Sequence, residues 1–342
     1  MFYSTSPGGK KMFFGVGIYG FSATITDSGS LIVGGPYNPQ LDGSQIHLYT
    51  GLISEVEKGQ IKFPSSNPTP PFSYGNGISR WTNPNYFLAG YFVGKGKFSD
   101  GERELIIGAP GADFHTGKLY VCGNCNGIRS DFKNQELQGN TGGEGFGFTA
   151  AACDINGDGK DDLLIGAPFY TANNKNYDTG AVYVYTNRWN KNDRFKFNLE
   201  KTNMLGEEMI KKVSGAMFGR SIACLGDTDF DGKQEVVVGA PFYGETDKPG
   251  AIFIFKSFLK PDSLDTEPSQ IIYGTSPEFS GPAGFGFRFA VPNSNGDKIN
   301  FDNTQPSSSR AEEFSVSAPH SRQVFKLRFK KVIRINDTTR PM

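Results

Sequence analysis

Two short runs hold the residues with an evident chemistry. Asp154-Ile155-Asn156-Gly157-Asp158-Gly159-Lys160-Asp161-Asp162 and Asp227-Thr228-Asp229-Phe230-Asp231-Gly232-Lys233-Gln234-Glu235 place side-chain oxygens at positions 1, 3, 5 and 9, with glycine at position 6. Calcium, a hard cation, takes about six to eight oxygen ligands, and alternate residues of a tight loop converge on one ion only where the backbone turns sharply. Gly159 and Gly232 supply that turn. Lys160 and Lys233, at position 7, would offer a backbone carbonyl and send their ammonium groups to solvent. The expected ligand sets are therefore Asp154, Asn156, Asp158, Lys160 and Asp162, and Asp227, Asp229, Asp231, Lys233 and Glu235. An EF-hand would carry its last carboxylate at position 12, between two helices. Here that acid stands at position 9 and leads into Leu163-Leu164-Ile165 or Val236-Val237-Val238, so these are β-hairpin loops. A solvated acidic turn is the plain alternative, and two copies in register within a repeat argue against it.

The elements that must hold these loops repeat along the chain. Five segments share one order: a glycine beside an aromatic, an apolar run, a polar loop, an apolar run, and a small-small-Pro stop. The opening marks are Gly20-Phe21, Gly90-Tyr91, Phe146-Gly147, Phe218-Gly219 and Phe285-Gly286. The stops are Gly35-Pro36, Ala109-Pro110, Ala167-Pro168, Ala240-Pro241 and Ala318-Pro319, a spacing of roughly 60 to 80 residues per unit. After each stop comes a β-rich run: Gln45 to Tyr49, Lys118 to Val121, Ala181 to Tyr185, Ala251 to Phe255 and Gln323 to Leu327. Val182-Tyr183-Val184-Tyr185 and Ile252-Phe253-Ile254-Phe255 lack helical spacing and read as strands. Each unit is then a four-stranded antiparallel sheet that cannot bury both faces alone. Radial stacking of such sheets gives an all-β propeller whose first strands line a central channel.

The other three units depart from the loop pattern. Gly96-Lys97-Phe98-Ser99-Asp100-Gly101-Glu102-Arg103-Glu104 keeps acids at positions 5 and 9 alone, and Thr26-Asp27-Ser28-Gly29-Ser30 is a short turn without a site. In the last unit Asn293, Asn295 and Asp297 hold positions 1, 3 and 5, but an insertion separates them from Glu313, the candidate ninth-position acid.

Composition bounds the function. Of 342 residues, 44 are glycine, 20 proline and 30 phenylalanine, which excludes coiled coils and helical bundles and fits short strands, tight turns and aromatic packing. Thirty-five basic and 35 acidic side chains cancel, leaving no footprint for nucleic acid or an anionic membrane surface. No run reaches the length of a spanning helix, and Met1 to Ile25 is too rich in Gly, Ser and Lys for a signal peptide. Gly15-Val16-Gly17-Ile18-Tyr19-Gly20 matches the dinucleotide fingerprint GxGxxG but opens no helix. His47, His115 and His320 fall in separate repeats, and no GxSxG elbow occurs, so catalysis has no constellation. Cys122 and Cys125 read as a small loop disulfide or free thiols, and Cys153 and Cys224 as buried small residues at strand ends, with pairing left open. Asn336-Asp337-Thr338 is an N-glycosylation acceptor.

With these residues in hand, the chain resembles the head of an integrin α subunit, a propeller of FG-GAP repeats. The resemblance rests on Phe146-Gly147 through Ala167-Pro168, on Phe218-Gly219 through Ala240-Pro241, and on Gly20-Phe21-Ser22 through Gly34-Gly35-Pro36, which looks like the third of the family's seven blades. It implies five four-stranded blades, over roughly 1–60, 75–135, 138–200, 208–268 and 275–329, forming a partial propeller over 1–329. Residues 330–342 would begin the linker to a further domain. It also implies an extracellular, calcium-stabilised adhesion receptor that pairs with an integrin β subunit and binds a matrix ligand. The signal peptide, the first two blades and the membrane anchor are expected to lie outside this piece. In the family a basic side chain of the β subunit enters an aromatic cage, and the matching positions here are Phe21, Tyr91, Phe148, Arg220 and Phe287. Recognition of Arg-Gly-Asp is not expected, because Ile78-Ser79-Arg80-Trp81-Thr82-Asn83-Pro84-Asn85 lacks an acid. The rival function is an FG-GAP propeller serving as an accessory or sugar-binding module of a secreted enzyme.

Overall fold

The computed structural model describes residues 2–5, 11–14, 20–62, 86–123, 133–188, 198–206, 212–256, 265–274, 283–291 and 313–328, short breaks inside these ranges aside. They form five up-and-down antiparallel sheets arranged as the blades of a β-propeller. The first sheet runs Ser22–Ile25, Leu31–Gly35, Leu52–Glu57, Gln60–Lys62. The second runs Phe92–Gly96, Glu104–Ala109, Lys118–Gly123, Lys133–Gln138. Thr149–Cys153, Asp162–Ala167, Ala181–Asn187 and Leu199–Leu205 form the third, and Ser221–Gly226, Glu235–Ala240, Ala251–Phe255 and Gln270–Tyr273 the fourth. In the fifth, three strands are described: Phe289–Ala290, Glu313–Ala318 and Gln323–Arg328. The first strands stack in sequence, each against the next blade's, which makes them the inner wall.

The central strands are apolar at consecutive positions because both their faces are covered. In the third blade Leu163 and Ile165 pack back against the second blade, while Leu164 packs forward against the fourth. In the fourth, Val236 and Val238 face the third blade and Val237 the fifth. Four apolar seams result, one between each consecutive pair of sheets. Burying a side chain of this size contributes roughly 1.5–3 kcal/mol, so these seams hold the blades together. The phenylalanines of the repeat mark anchor them. Phe146, Phe218 and Phe285 are buried and meet Tyr183, Phe253 and Phe325 edge-on, with ring centroids 5.1, 5.4 and 5.1 Å apart.

One strand expectation fails. Gln45 to Tyr49 is not the third strand of the first blade: Gln45–His47 pairs with Gln40–Asp42 in a separate hairpin, and Leu52–Glu57 joins the sheet instead. The reason lies in a signal common to four blades, a glycine immediately before the third strand. Gly51, Gly117, Gly180 and Gly250 have φ of 80°, 89°, 85° and 87°. A Cβ on them would meet the carbonyl oxygen of Ala89, Phe146, Phe218 or Phe285 in the next blade at 2.2, 2.1, 2.2 and 2.3 Å. The strand can start only past that glycine.

Candidate metal loops and the aromatic face

The loop of the fourth blade gathers its acids. Asp227, Asp229 and Glu235 bring ligand oxygens within 4.8 Å of one another, the one such group of three found among the described residues. The backbone does the gathering. The amides of Asp231 and Gly232 donate to the Asp227 carboxylate at 3.1 and 3.0 Å, and that of Lys233 to Asp231 Oδ1 at 2.9 Å. Gly232, at φ 90°, makes the bend. Glu235 is buried at the root of the loop, where its Oε2 accepts from the amide of Thr228 at 2.6 Å and from the Thr228 hydroxyl. Asp229 Oδ2 accepts from Lys256 Nζ at 2.8 Å. The remaining oxygens, Asp229 Oδ1 and Glu235 Oε1, are buried with no donor. Burial pushes the Glu235 carboxyl up to about 7, against the pull of Thr228. Clustered carboxylates with orphaned inward oxygens fit a hard divalent cation, whose charge would offset their desolvation.

The loop of the third blade is wound the same way but is more closed. Asp154 accepts from the amides of Gly157, Asp158 and Gly159 at 2.8, 3.1 and 2.9 Å, Asn156 Oδ1 from that of Asp158, and Asp158 Oδ1 from that of Lys160. Gly157 and Gly159 take φ of 78° and 86°. Asp162 is buried and spends both oxygens on amides, those of Ile155 at 3.1 Å and Asn187 at 2.8 Å. Burial pushes its carboxyl up to about 8. Asp154 and Asn156 are half-buried and Asp158 is exposed at the open end of the loop.

Lys160 does not send its charge to solvent. It is 7% exposed, and its ammonium reaches into the loop of the second blade, donating to Ser99 O at 3.2 Å and to Asp100 Oδ1. Glu104, the ninth-position acid of that loop, is buried beside it and accepts from the amide of Phe98 at 3.0 Å and from the Ser99 hydroxyl. An amine thus faces the two acids that this incomplete loop retains. Lys233 is half-buried. In the first blade, Asp27 pairs with Lys95 at 3.3 Å and Arg103 at 3.2 Å. In the fifth, Glu313 opens a strand and pairs with Lys326 and Arg328, which hold its carboxyl below the usual range, so it is committed to its own sheet. Asn293, Asn295, Asp297, Asn336, the segment 78–85 and residues 330–342 lie outside the described residues, as do Gly15 to Tyr19 and the side chains of Cys122 and Cys125.

Position 8 of the loops carries a function that residue types alone do not reveal. The amide of Arg103 donates to Asp27 Oδ2 at 3.0 Å. Asp161 and Lys97 exchange two bonds, amide to carbonyl at 2.8 Å and amide to carboxylate at 2.7 Å. The amide of Gln234 donates to Asp154 O at 2.9 Å, and the amide of Asp154 to Gln234 Oε1 at 3.1 Å. Each eighth residue therefore clips its loop to the preceding blade. The signal that could have shown this is positional, since Arg, Asp and Gln share no chemistry beyond reach and a polar end. Cys153 and Cys224, expected as buried small residues, are buried and joined as a disulfide, with Cα atoms 5.8 Å apart. They link the first strands of the third and fourth blades at the roots of the two acid loops.

The five cage positions form a continuous file across the propeller face. Phe21 and Tyr91 lie 4.5 Å apart between ring centroids, and Tyr91 and Phe148 another 4.5 Å. Next comes Arg220, whose guanidinium carbon sits 4.6 Å from the centroid of Phe148 and 4.2 Å from that of Phe287. The one non-aromatic member is thus seated between two of the rings. Burial and the nearby Arg288 lower its pKa.

Hairpin acid loops, glycine-aromatic marks and stacked four-stranded sheets define the class, a β-propeller of FG-GAP repeats. The FG-GAP repeat model matches residues 146–185 and 218–255, the two blades with complete loops. Integrin alpha-5 of Xenopus laevis is 32% identical over 278 residues, covering 78% of this chain and 24% of its own length. Integrin alpha-IIb of Homo sapiens is 30% identical over 296 residues, with 80% and 25% covered. Integrin alpha-PS3 of Drosophila melanogaster is 27% identical over 354 residues, with 97% and 29% covered. The chain is an integrin α-type propeller, and it spans about a quarter of the length of these relatives. A solved exotype rhamnogalacturonan lyase aligns at a TM-score of 0.39 and 13% identity, over 92% of this chain and 55% of that one, too loosely to carry an argument.

Proposed function

We propose that this chain is the head of a cell-adhesion receptor: a non-catalytic propeller, stiffened by calcium on one face, that pairs with an integrin β subunit and binds an extracellular matrix ligand. The likeness to integrin α chains supports the class, and one observation carries the calcium part, the pair of buried orphaned oxygens on Asp229 and Glu235. Asp227, Asp229, Asp231 and Glu235, with the carbonyl of Lys233, would hold one ion, and Asp154, Asn156, Asp158, Asp162 and the carbonyl of Lys160 a second. Bound calcium would supply charge neutralisation and rigidity, not reaction chemistry. Both loops are clipped to the preceding blade and rooted at the disulfide, so stiffening a loop stiffens a seam. The disulfide also agrees with an extracellular setting, since such bonds persist in oxidising compartments. No helix among the described residues is long and apolar enough to cross a membrane.

Calorimetric titration of calcium, with thermal melting in parallel, tests this reading. About two ions should bind, with affinity on the order of 10⁻⁴ to 10⁻³ M as in other extracellular modules, and the melt should rise. An Asp158→Ala/Asp231→Ala variant should show neither effect. A folded chain indifferent to calcium would refute the metal part, and failure to capture any co-expressed integrin β subunit would refute the pairing.

A further inference from the structure

The two acid loops are joined to each other. Of the three position-8 clips, those of Arg103 and Asp161 reach loops without a full set of acids, whereas Gln234 of the fourth-blade loop grips Asp154, the first acid of the third-blade loop. The grip is on the backbone of that residue at both ends: the Gln234 amide donates to Asp154 O at 2.9 Å, and the Asp154 amide to Gln234 Oε1 at 3.1 Å. A second contact lies nearby, where Gly157 runs so close to Gly232 that a Cβ on it would stand 2.9 Å from the Gly232 carbonyl oxygen. Cys153, the residue before Asp154, is bonded to Cys224, just ahead of the fourth-blade loop.

Gln234 stands among the residues that an ion would fix. On one side is Lys233, whose amide donates to Asp231 at 2.9 Å, and on the other is Glu235, buried with one oxygen lacking a donor. Asp154 in turn collects the amides of Gly157, Asp158 and Gly159 on its carboxylate, so a shift of its backbone shifts the whole third-blade turn. A loop ordered by its own ion presents the other loop with an ordered anchor, and the second ion then has less ordering to supply. Ordering supplied by the first ion and used by the second is positive coupling.

We propose that Gln234 is a positioning residue that couples the two acid loops, so that calcium in either one raises the affinity of the other. The inference rests on the calcium reading above and adds to it that the two sites fill together. Attraction of one ion for the other loop's acids through space would act in the same sense. Gln234→Ala separates the two effects, because it keeps every carboxylate and removes the side-chain half of the clip.

Calorimetric titration of calcium on the whole chain tests the proposal. Asp158→Ala leaves the fourth-blade site alone and Asp231→Ala the third. In the parent, each site should bind at least about fivefold more tightly than in the variant that has lost the other, and by the same factor for both. In Gln234→Ala both ions should still bind, with that factor less than half the parent's, and Gln234→Glu, which keeps an acceptor oxygen for the Asp154 amide, should restore it. Two ions that bind the parent no more tightly than they bind the single-site variants overturn the coupling and leave the calcium reading standing. A factor unchanged in Gln234→Ala overturns the role of Gln234. Should that variant fail to fold, amide hydrogen exchange in Asp158→Ala reads the link directly: calcium, bound at the fourth-blade loop alone, should slow exchange across Asp154 to Gly159 at least fivefold. Exchange that slows in the fourth-blade loop and not there overturns the proposal. A folded parent that binds no calcium fells the calcium reading and the coupling with it.

Discussion

Removing the Cys153–Cys224 bond gives the sharpest measure of how the metal-bearing half of the propeller is held. The bond closes a loop of 71 residues in the unfolded chain. Loop-closure entropy for that length is about 2.1 + 1.5R ln 71, roughly 15 cal/mol/K, which at 25 °C is about 4.4 kcal/mol. Both sulfurs sit in the apolar seam between the third and fourth blades, so alanine at both positions also removes packing. The double variant Cys153→Ala/Cys224→Ala should therefore lose about 4 kcal/mol, a large share of the 5–15 kcal/mol typical of a domain. Urea unfolding of the oxidised parent and the variant, followed by intrinsic fluorescence in excess calcium, measures the difference. A loss below about 1 kcal/mol would refute the reasoning, because it would mean that the blades do not unfold as one unit and that the closed loop does not restrain the unfolded state.

Four further outcomes follow from the geometry. Glu235→Gln, which neutralises the buried carboxylate and leaves the Asp229–Lys256 pair intact, should raise the melting temperature in calcium-free buffer and abolish the rise that calcium gives the parent. Lys160→Met leaves the half-exposed Asp100 without its cation and should cost about 1 kcal/mol, read by urea unfolding. Gly180→Ala forces a Cβ to within 2.2 Å of Phe218 O at φ 85°, and should lower the melting temperature far more than Gly142→Ala, where nothing lies within 4 Å. Glu144, buried where its oxygens accept from Tyr183 Oη at 2.7 Å and the Asn140 amide at 2.6 Å, has its carboxyl raised by burial. The folded state then holds that proton more tightly than the unfolded one, so stability should fall as pH rises from the ordinary carboxylate range through the raised value. Glu144→Gln should flatten that slope in melts recorded from pH 4.5 to 8.

The blades and the acid loops were legible because each rests on a pattern that recurs. Three buried phenylalanines, three Ala-Pro stops in the second to fourth units, and two nine-residue loops in register all report one architecture. What escaped the sequence depends on partners far along the chain. Nothing in the type of Lys160 says that its ammonium crosses to Asp100, 60 residues earlier, rather than into water. The pairing of Cys153 with Cys224 needs the stacking of two inner strands, and four cysteines alone leave three connectivities open. The misplaced strand at Gln45 to Tyr49 is different in kind. Its apolar alternation is real and builds a hairpin, but the glycine before Leu52 outweighs it, because only that residue lets the chain pass under the next blade.

The glycine seam also bears on the order of assembly. Gly51 meets Ala89, Gly117 meets Phe146, Gly180 meets Phe218 and Gly250 meets Phe285, so each of these seams joins a blade to the start of the one synthesised just after it. A nascent chain leaving the ribosome amino end first can dock each blade as soon as the next few tens of residues appear, without waiting for a distant partner. Such nearest-neighbour growth keeps loop-closure costs low and limits the time that an apolar blade face stands uncovered. A fault in one glycine would accordingly halt the zipper at that blade, leaving a folded amino-terminal stub and an unprotected remainder for the cell's quality control to find.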